Sequence, residues 1–245
     1  MCSSDLSKVA AIYMILNVGY EKALFITQKK YADFVFYMAR LESNPFTLQE
    51  VQTILAGTTV DAHKISDQNQ VLNIANGWSE IINQVSKHIF TVDKNNFIHI
   101  NTIVAKDEAL EVGAFRSGQV GISGTEYLPP NPGPTLDIAF ENMLKNYSHT
   151  ENIKEKSFGI FLDAARTQFF YDRNKRTGQL MMNGVLISNG YLPVTILPGS
   201  HAEYNHKMLN FYETGDHAEM CDFLRNQYEK IYRDFDWSGI TTSIP

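Results

Sequence analysis

The stretch Ala165–Gly190, ARTQFFYDRNKRTGQLMMNGVLISNG, decides how the chain is read. Its first half completes an apolar run, FGIFLDAARTQFF (158–170), and its second half contains another, LMMNGVLI (180–187). Helices that are apolar on nearly every side belong inside a protein. Between them lies Asp172-Arg173-Asn174-Lys175-Arg176. Burying that much charge is costly unless it is paired. Three of these residues are cations at the start of the second helix, the end that the helix dipole reserves for anions. The pattern suits a helix N-terminus that holds phosphate. Asn174 and Arg176 can donate hydrogen bonds to it, Arg176 with two nitrogens at once. Lys175 and Arg173 either join them or reach solvent along their aliphatic stems. Asp172 has two readings, an Mg²⁺ ligand or a helix cap paired with Arg176.

Outward from this centre, helical spacing predicts helices over 4–18 and 28–41, the second with Tyr31, Phe34, Val35, Met38 and Leu41 on one face. After Pro45, Thr47-Leu48-Gln49-Glu50 is a capping-box pattern opening a helix to about Leu55, which Gly57 ends. Residues 58–65 read as a polar loop, 66–88 as a long amphipathic helix and 96–106 as a further helix. Residues 113–127, GAFRSGQVGISGTEY, alternate short apolar positions with glycines and predict a small β-hairpin or flap. Four of the eight prolines then fall in 129–134, a stiff connector. Thr135 is expected to cap a helix to about Tyr147. Helices over 152–171 and 174–189, an extended piece over 191–196, and helices over 200–212 and 216–233 complete a mostly α chain. Three regions are expected: an N-terminal helical region over 1–90, a core over 91–200, and closing helices over 201–245.

At 245 residues and 44% hydrophobic content the chain can build a sizeable core. A net charge of −6 supplies no basic surface for nucleic acid. Cys2 and Cys221 form no close pair, which argues for a reducing compartment and against a zinc framework. No basic region precedes the first apolar run and no run is long enough to span a membrane. A cytoplasmic location, without membrane or nucleic-acid partners, is the expectation. No Walker-type Gly-Lys-Ser/Thr, no dinucleotide glycine fingerprint and no HExxH occurs. His201 and His206 read as surface histidines, and Cys221 as a core thiol.

Gln168-Phe169-Phe170-Tyr171-Asp172-Arg173-Asn174-Lys175-Arg176-Thr177-Gly178-Gln179 resembles the signature of the Fic (Fic/Doc, Fido) family, His-x-Phe-x-Asp/Glu-Gly-Asn-Gly/Lys-Arg-x-x-Arg. Gly113 to Pro130 is similar to that family's flap, and Glu42 to Leu48 to its N-terminal Glu-Gly-Asn-Pro-Leu-Thr-Leu region. The tail, with Tyr204 and Gly215-Asp216, also fits. The resemblance covers about 30–235. It implies a helical core with a β-hairpin flap and transfer of AMP from ATP·Mg²⁺ to a protein hydroxyl. It further implies a signature base at position 168, Mg²⁺ on Asp172, and nucleotide phosphates on Arg173, Asn174, Lys175, Arg176, Gln179 and Tyr204. Target docking by strand addition falls to Arg116, Gln119, Val120 and Ile122.

Three departures matter. Gln168 stands in the place of the base, Arg173 in the place of a glycine, and Gln179 in the place of the last arginine. An amide has no proton site that titrates near neutrality. The expected protein therefore keeps a phosphate cradle, with ATP and Mg²⁺ as ligands, and is weak or inactive in transfer. Two alternatives remain open: a transferase using another base, such as Tyr171 or His149, or another donor; and an interaction module using the flap groove. An inhibitory Ser/Thr-x-x-x-Glu-Gly/Asn element would fall on Met38–Ser43, where Glu42 survives but Met38 and Ser43 depart. Its arginine partner is Gln179 here, so regulation by that pair is not expected.

Overall fold

The computed structural model describes residues 17–61 and 63–233. Its helices are α1 (Tyr20–Lys29), α2 (Tyr31–Leu41), α3 (Leu48–Leu55), α4 (Ile65–Ser86), α5 (Lys94–Val104), α6 (Pro134–Ser148), α7 (Ile153–Thr167), α8 (Asn174–Ser188), α9 (His201–Thr214) and α10 (Ala218–Tyr232). The mostly α architecture is as expected. The helix expected over 28–41 is two helices, broken at Lys30. The one expected over 4–18 lies, but for its last two residues, outside the described region.

Helices α7 and α8 form the central pair. Every residue of α8 from Arg176 to Ile187 is buried, as a helix apolar all round requires. A Cβ on Gly178 would come within 3.0 Å of the Phe161 carbonyl oxygen, so the absent side chain is what lets α7 and α8 lie this close. Helices α4 and α5 cover another side of α8, with Ile74, Trp78, Phe97 and Ile100 fully buried. Asn183 on α8 exchanges two hydrogen bonds with the main chain of Val194, 2.7 and 2.9 Å, pinning the extended 191–196 segment into the core.

Local sequence signals set several ends. The predicted capping box closes at α3: Glu50 N–H donates to Thr47 Oγ1, and Thr47 N–H to Glu50 Oε2 at 2.7 Å. Asn152 caps α7 by accepting from the amides of Lys154 and Glu155. Helix α6 begins at Pro134 behind Gly133, not behind Thr135 as expected; proline's lost N–H costs nothing in a first turn.

The flap forms no hairpin. Among the described residues the one β pairing is an isolated bridge between Asn17 and Tyr191. The chain from 113 to 132 is irregular, and its two legs meet through side chains instead. Arg116 donates to the Pro130 carbonyl and Gln119 to the Pro129 carbonyl. Prolines have no N–H to complete a ladder at that place. The base of the flap is packed firmly nonetheless, with Phe115 stacked on Phe169 at 4.8 Å between ring centroids and Phe140 edge-on to Phe169 at 5.3 Å.

Candidate functional site

The loop from α7 to α8 is closed by its own side chains. Gln168 ends α7 in the left-handed region, φ 52°. Its Nε2 donates to the Ala165 carbonyl at 2.6 Å, and its Oε1 accepts from Asn174 Nδ2 at 2.9 Å. Asn174 Nδ2 also donates to the Phe170 carbonyl at 2.8 Å, and Asn174 Oδ1 accepts from the Phe170 amide at 2.9 Å. One buried side chain thus clamps residues 168 to 174. From the sequence Asn174 reads as a phosphate donor; in the structure its amide is committed to the loop.

Arg173 sits before α8 in the left-handed region, φ 61°, and no side chain caps the helix. Its amide donates to Asp172 Oδ1 at 2.7 Å. The first turn of α8 therefore presents its main-chain amides without a capping oxygen, an arrangement that favours an anion. Asp172 is neither the cap of α8 nor paired with Arg176. Its Oδ1 meets Arg173 Nη1 at 3.1 Å, and its side chain stays 44% exposed.

The cations are answered by carboxylates from elsewhere in the chain. Glu108, just beyond α5, receives Arg173 Nη2 at 2.7 Å and Arg176 Nη1 at 3.0 Å. Asn73 on α4 adds a donor to Glu108 at 3.3 Å. Burial works against the charged form of Glu108, but Arg176, Arg173 and Asn73 outweigh it and hold its carboxyl below the ordinary value. Glu42 approaches Arg176 Nη2 at 3.6 Å, so the surviving acidic residue of the altered element faces Arg176. Arg176 is 1% exposed. Burial draws its guanidinium below its ordinary pKa, while Glu42 and Glu108 support the charge. Asn101 on α5 braces the turn by donating to the Asp172 carbonyl and to Thr177 Oγ1, both at 3.1 Å.

The remaining predicted residues fall into two groups. Gln179 and Tyr204 are buried, and among the described residues the Gln179 amide atoms, the Tyr204 hydroxyl, and Nε and Nη2 of Arg176 have no partner at hydrogen-bond distance. Burial pushes the Tyr204 hydroxyl well above its ordinary pKa. Lys175 lies over the Tyr204 ring, 6.0 Å from its centroid. In the flap, Arg116 is 2% exposed and its guanidinium is spent on three main-chain carbonyls, those of Gln168, Gly118 and Pro130. It holds the flap to the loop and offers no outward face. Gln119 is exposed, and Val120 and Ile122 are half-buried. Of the substitute bases, Tyr171 shares its hydroxyl with Ser117 Oγ at 3.1 Å, and His149 is exposed at the end of α6. Sequence reasoning missed Glu108, Asn73 and Asn101, which sit in no motif and reach the site only through the packing of α4 and α5 on α8.

An uncapped helix start, one buried and one half-buried arginine and an adjoining carboxylate lie at the centre of this helical protein. No protein-family model matches the sequence. The chain is 26% identical over 223 residues to the Protein adenylyltransferase Fic of Drosophila melanogaster, covering 89% of this chain and 44% of that protein. It is 26% identical over 224 residues to the protein of the same name from Drosophila persimilis, covering 43% of it. The chain thus spans less than half the length of these relatives. Among solved structures, Fic-1 (residues 134–508) from C. elegans aligns with a TM-score of 0.77 at 18% identity, over 97% of this chain and 72% of that one. A Fic-domain-containing signaling protein from Bacteroides thetaiotaomicron aligns at 0.71 and 15% identity, over 92% and 93%. In sequence and in fold alike, the chain is similar to Fic proteins.

Proposed function

We propose that this protein binds a Mg²⁺–nucleoside triphosphate at the start of α8 and transfers its AMP to protein hydroxyls slowly or not at all. The uncapped first turn of α8 and the two arginines supply the phosphate site. Asp172, at the rim and part-exposed, suits Mg²⁺, which takes one or two protein carboxylates and fills its other positions with phosphate oxygens and water. The ion would neutralise phosphate charge. The exposed backbone of the flap would align a target segment, as the resemblance implies, with Val120 and Ile122 beside it.

The observation that carries the slow transfer is the state of Gln168. Its amide is hydrogen-bonded at both ends and has no site that titrates near neutral pH. Losing a general base typically costs about 10²–10⁴-fold in rate. A cytoplasmic location belongs to the same reading.

Calorimetry with Mg-ATP tests binding, and incubation with labelled ATP tests transfer. Binding with little AMP incorporation is the expected result. Rapid labelling of the protein itself or of lysate proteins would refute the slow transfer, and absence of heat on titration would refute the binding site.

A further inference from the structure

Glu108 is placed as a ligand would be. Its two oxygens lie against the guanidinium of Arg173, which precedes α8, and that of Arg176 in the first turn of α8. It does not come from α8 or from the loop before it. It comes from the turn just beyond α5, 65 residues earlier in the chain than Arg173. Its side chain is only 13% exposed.

The clamp has more donors than one carboxylate can satisfy. Arg173 Nε, Arg176 Nε and Arg176 Nη2 are buried and make no hydrogen bond to any described residue. The second carboxylate nearby, Glu42, stands 3.6 Å from Arg176 Nη2, beyond hydrogen-bond distance. A carboxylate brings two acceptor oxygens, whereas a terminal phosphate brings three and more charge. The segment carrying Glu108 is a short turn beyond the end of α5, outside any helix. The Glu108 and Ala109 amides both turn back on the Ala105 carbonyl, at 3.0 and 3.1 Å. Asp107 takes φ 60°, and Leu110 beyond it is 80% exposed.

We infer that Glu108 is a built-in anion occupying the place of a ligand phosphate between Arg173 and Arg176, and that a diphosphate group binds by displacing it. This rests on the reading of the α8 N-terminus as a phosphate site. Glu108 then sets how tightly that site takes phosphate: the arginines are held charged and in position, and an incoming ligand must exchange one anion for another.

Titrating the full chain with inorganic pyrophosphate in a calorimeter, as wild type and as E108Q, tests the exchange. The substitution keeps the shape and removes the charge. Displacement predicts binding to E108Q at least about tenfold tighter, the scale of one charge-assisted contact. Equal affinities would overturn the inference and leave the phosphate site standing. No binding by either folded protein would overturn both. A measurement on the wild type needs no variant: hydrogen exchange at the Glu108 and Ala109 amides should speed up when pyrophosphate saturates the site. Unchanged or slower exchange at saturation would overturn the displacement while the site itself remained demonstrated by binding.

Discussion

Replacing Asn174 by alanine separates a structural role from a ligand role at the residue that motif reading assigns to phosphate. The side chain makes three hydrogen bonds, to the Phe170 amide at 2.9 Å, the Phe170 carbonyl at 2.8 Å and Gln168 Oε1 at 2.9 Å. Phe170 is buried, 2% exposed, and Asn174 is the partner of both its main-chain groups. Truncation leaves an N–H and a C=O without partners, each costing about 1–3 kcal/mol. Water entering the new space offsets part of this, so a loss of about 3 kcal/mol is expected. For a chain of this size the urea slope is about 3 kcal/mol per M, and the midpoint should fall by about 1 M. Equilibrium unfolding in urea, followed by circular dichroism, reads it directly. A midpoint within about 0.2 M of the wild type would refute the assignment of Asn174 as the clamp of this loop, since a drop so small corresponds to well under 1 kcal/mol at that slope.

Three further outcomes are expected. Gln168→His restores a titratable group at the end of α7 and should raise AMP incorporation by about 10²-fold or more; unchanged labelling, in a protein that still binds Mg-ATP, would show that the missing base is not what limits transfer. Gly178→Ala forces a Cβ to within 3.0 Å of the Phe161 carbonyl oxygen and should cost about 1–3 kcal/mol, seen as a lower Tm with unchanged helical signal. The folded pKa of Glu108 lies below the ordinary value of 4.5, so the unfolded chain takes up that proton first. Its contribution to stability is complete above the unfolded pKa and is lost as pH falls through the folded one; urea midpoints between pH 7 and pH 3 should therefore fall less steeply for E108Q than for the wild type.

Local chemistry in the sequence determined most of the helices. The apolar runs on either side of 172–176 could only be buried, and α7 and α8 are the central pair. The capping box at Thr47 and the helix start near Asn174 were readable because each depends on residues within one turn of one another. So was the oddity of the turn, since cations at a helix start conflict with the dipole whatever surrounds them. What the cations meet was decided by tertiary structure alone. Glu108, Asn73 and Asn101 come from the turn after α5, from α4 and from α5, and nothing in their own neighbourhoods marks them, while Glu42 at the end of α2 was marked only by the family resemblance. The flap shows the same division. Its glycines and alternating apolar residues obey the local rules for a hairpin, but Pro129 and Pro130 face the opposite leg, and Arg116 is drawn inward by three carbonyls. Hydrogen-bond partners across a fold depend on which helices pack together, and a charge in the sequence carries no record of the distant carboxylate that will neutralise it.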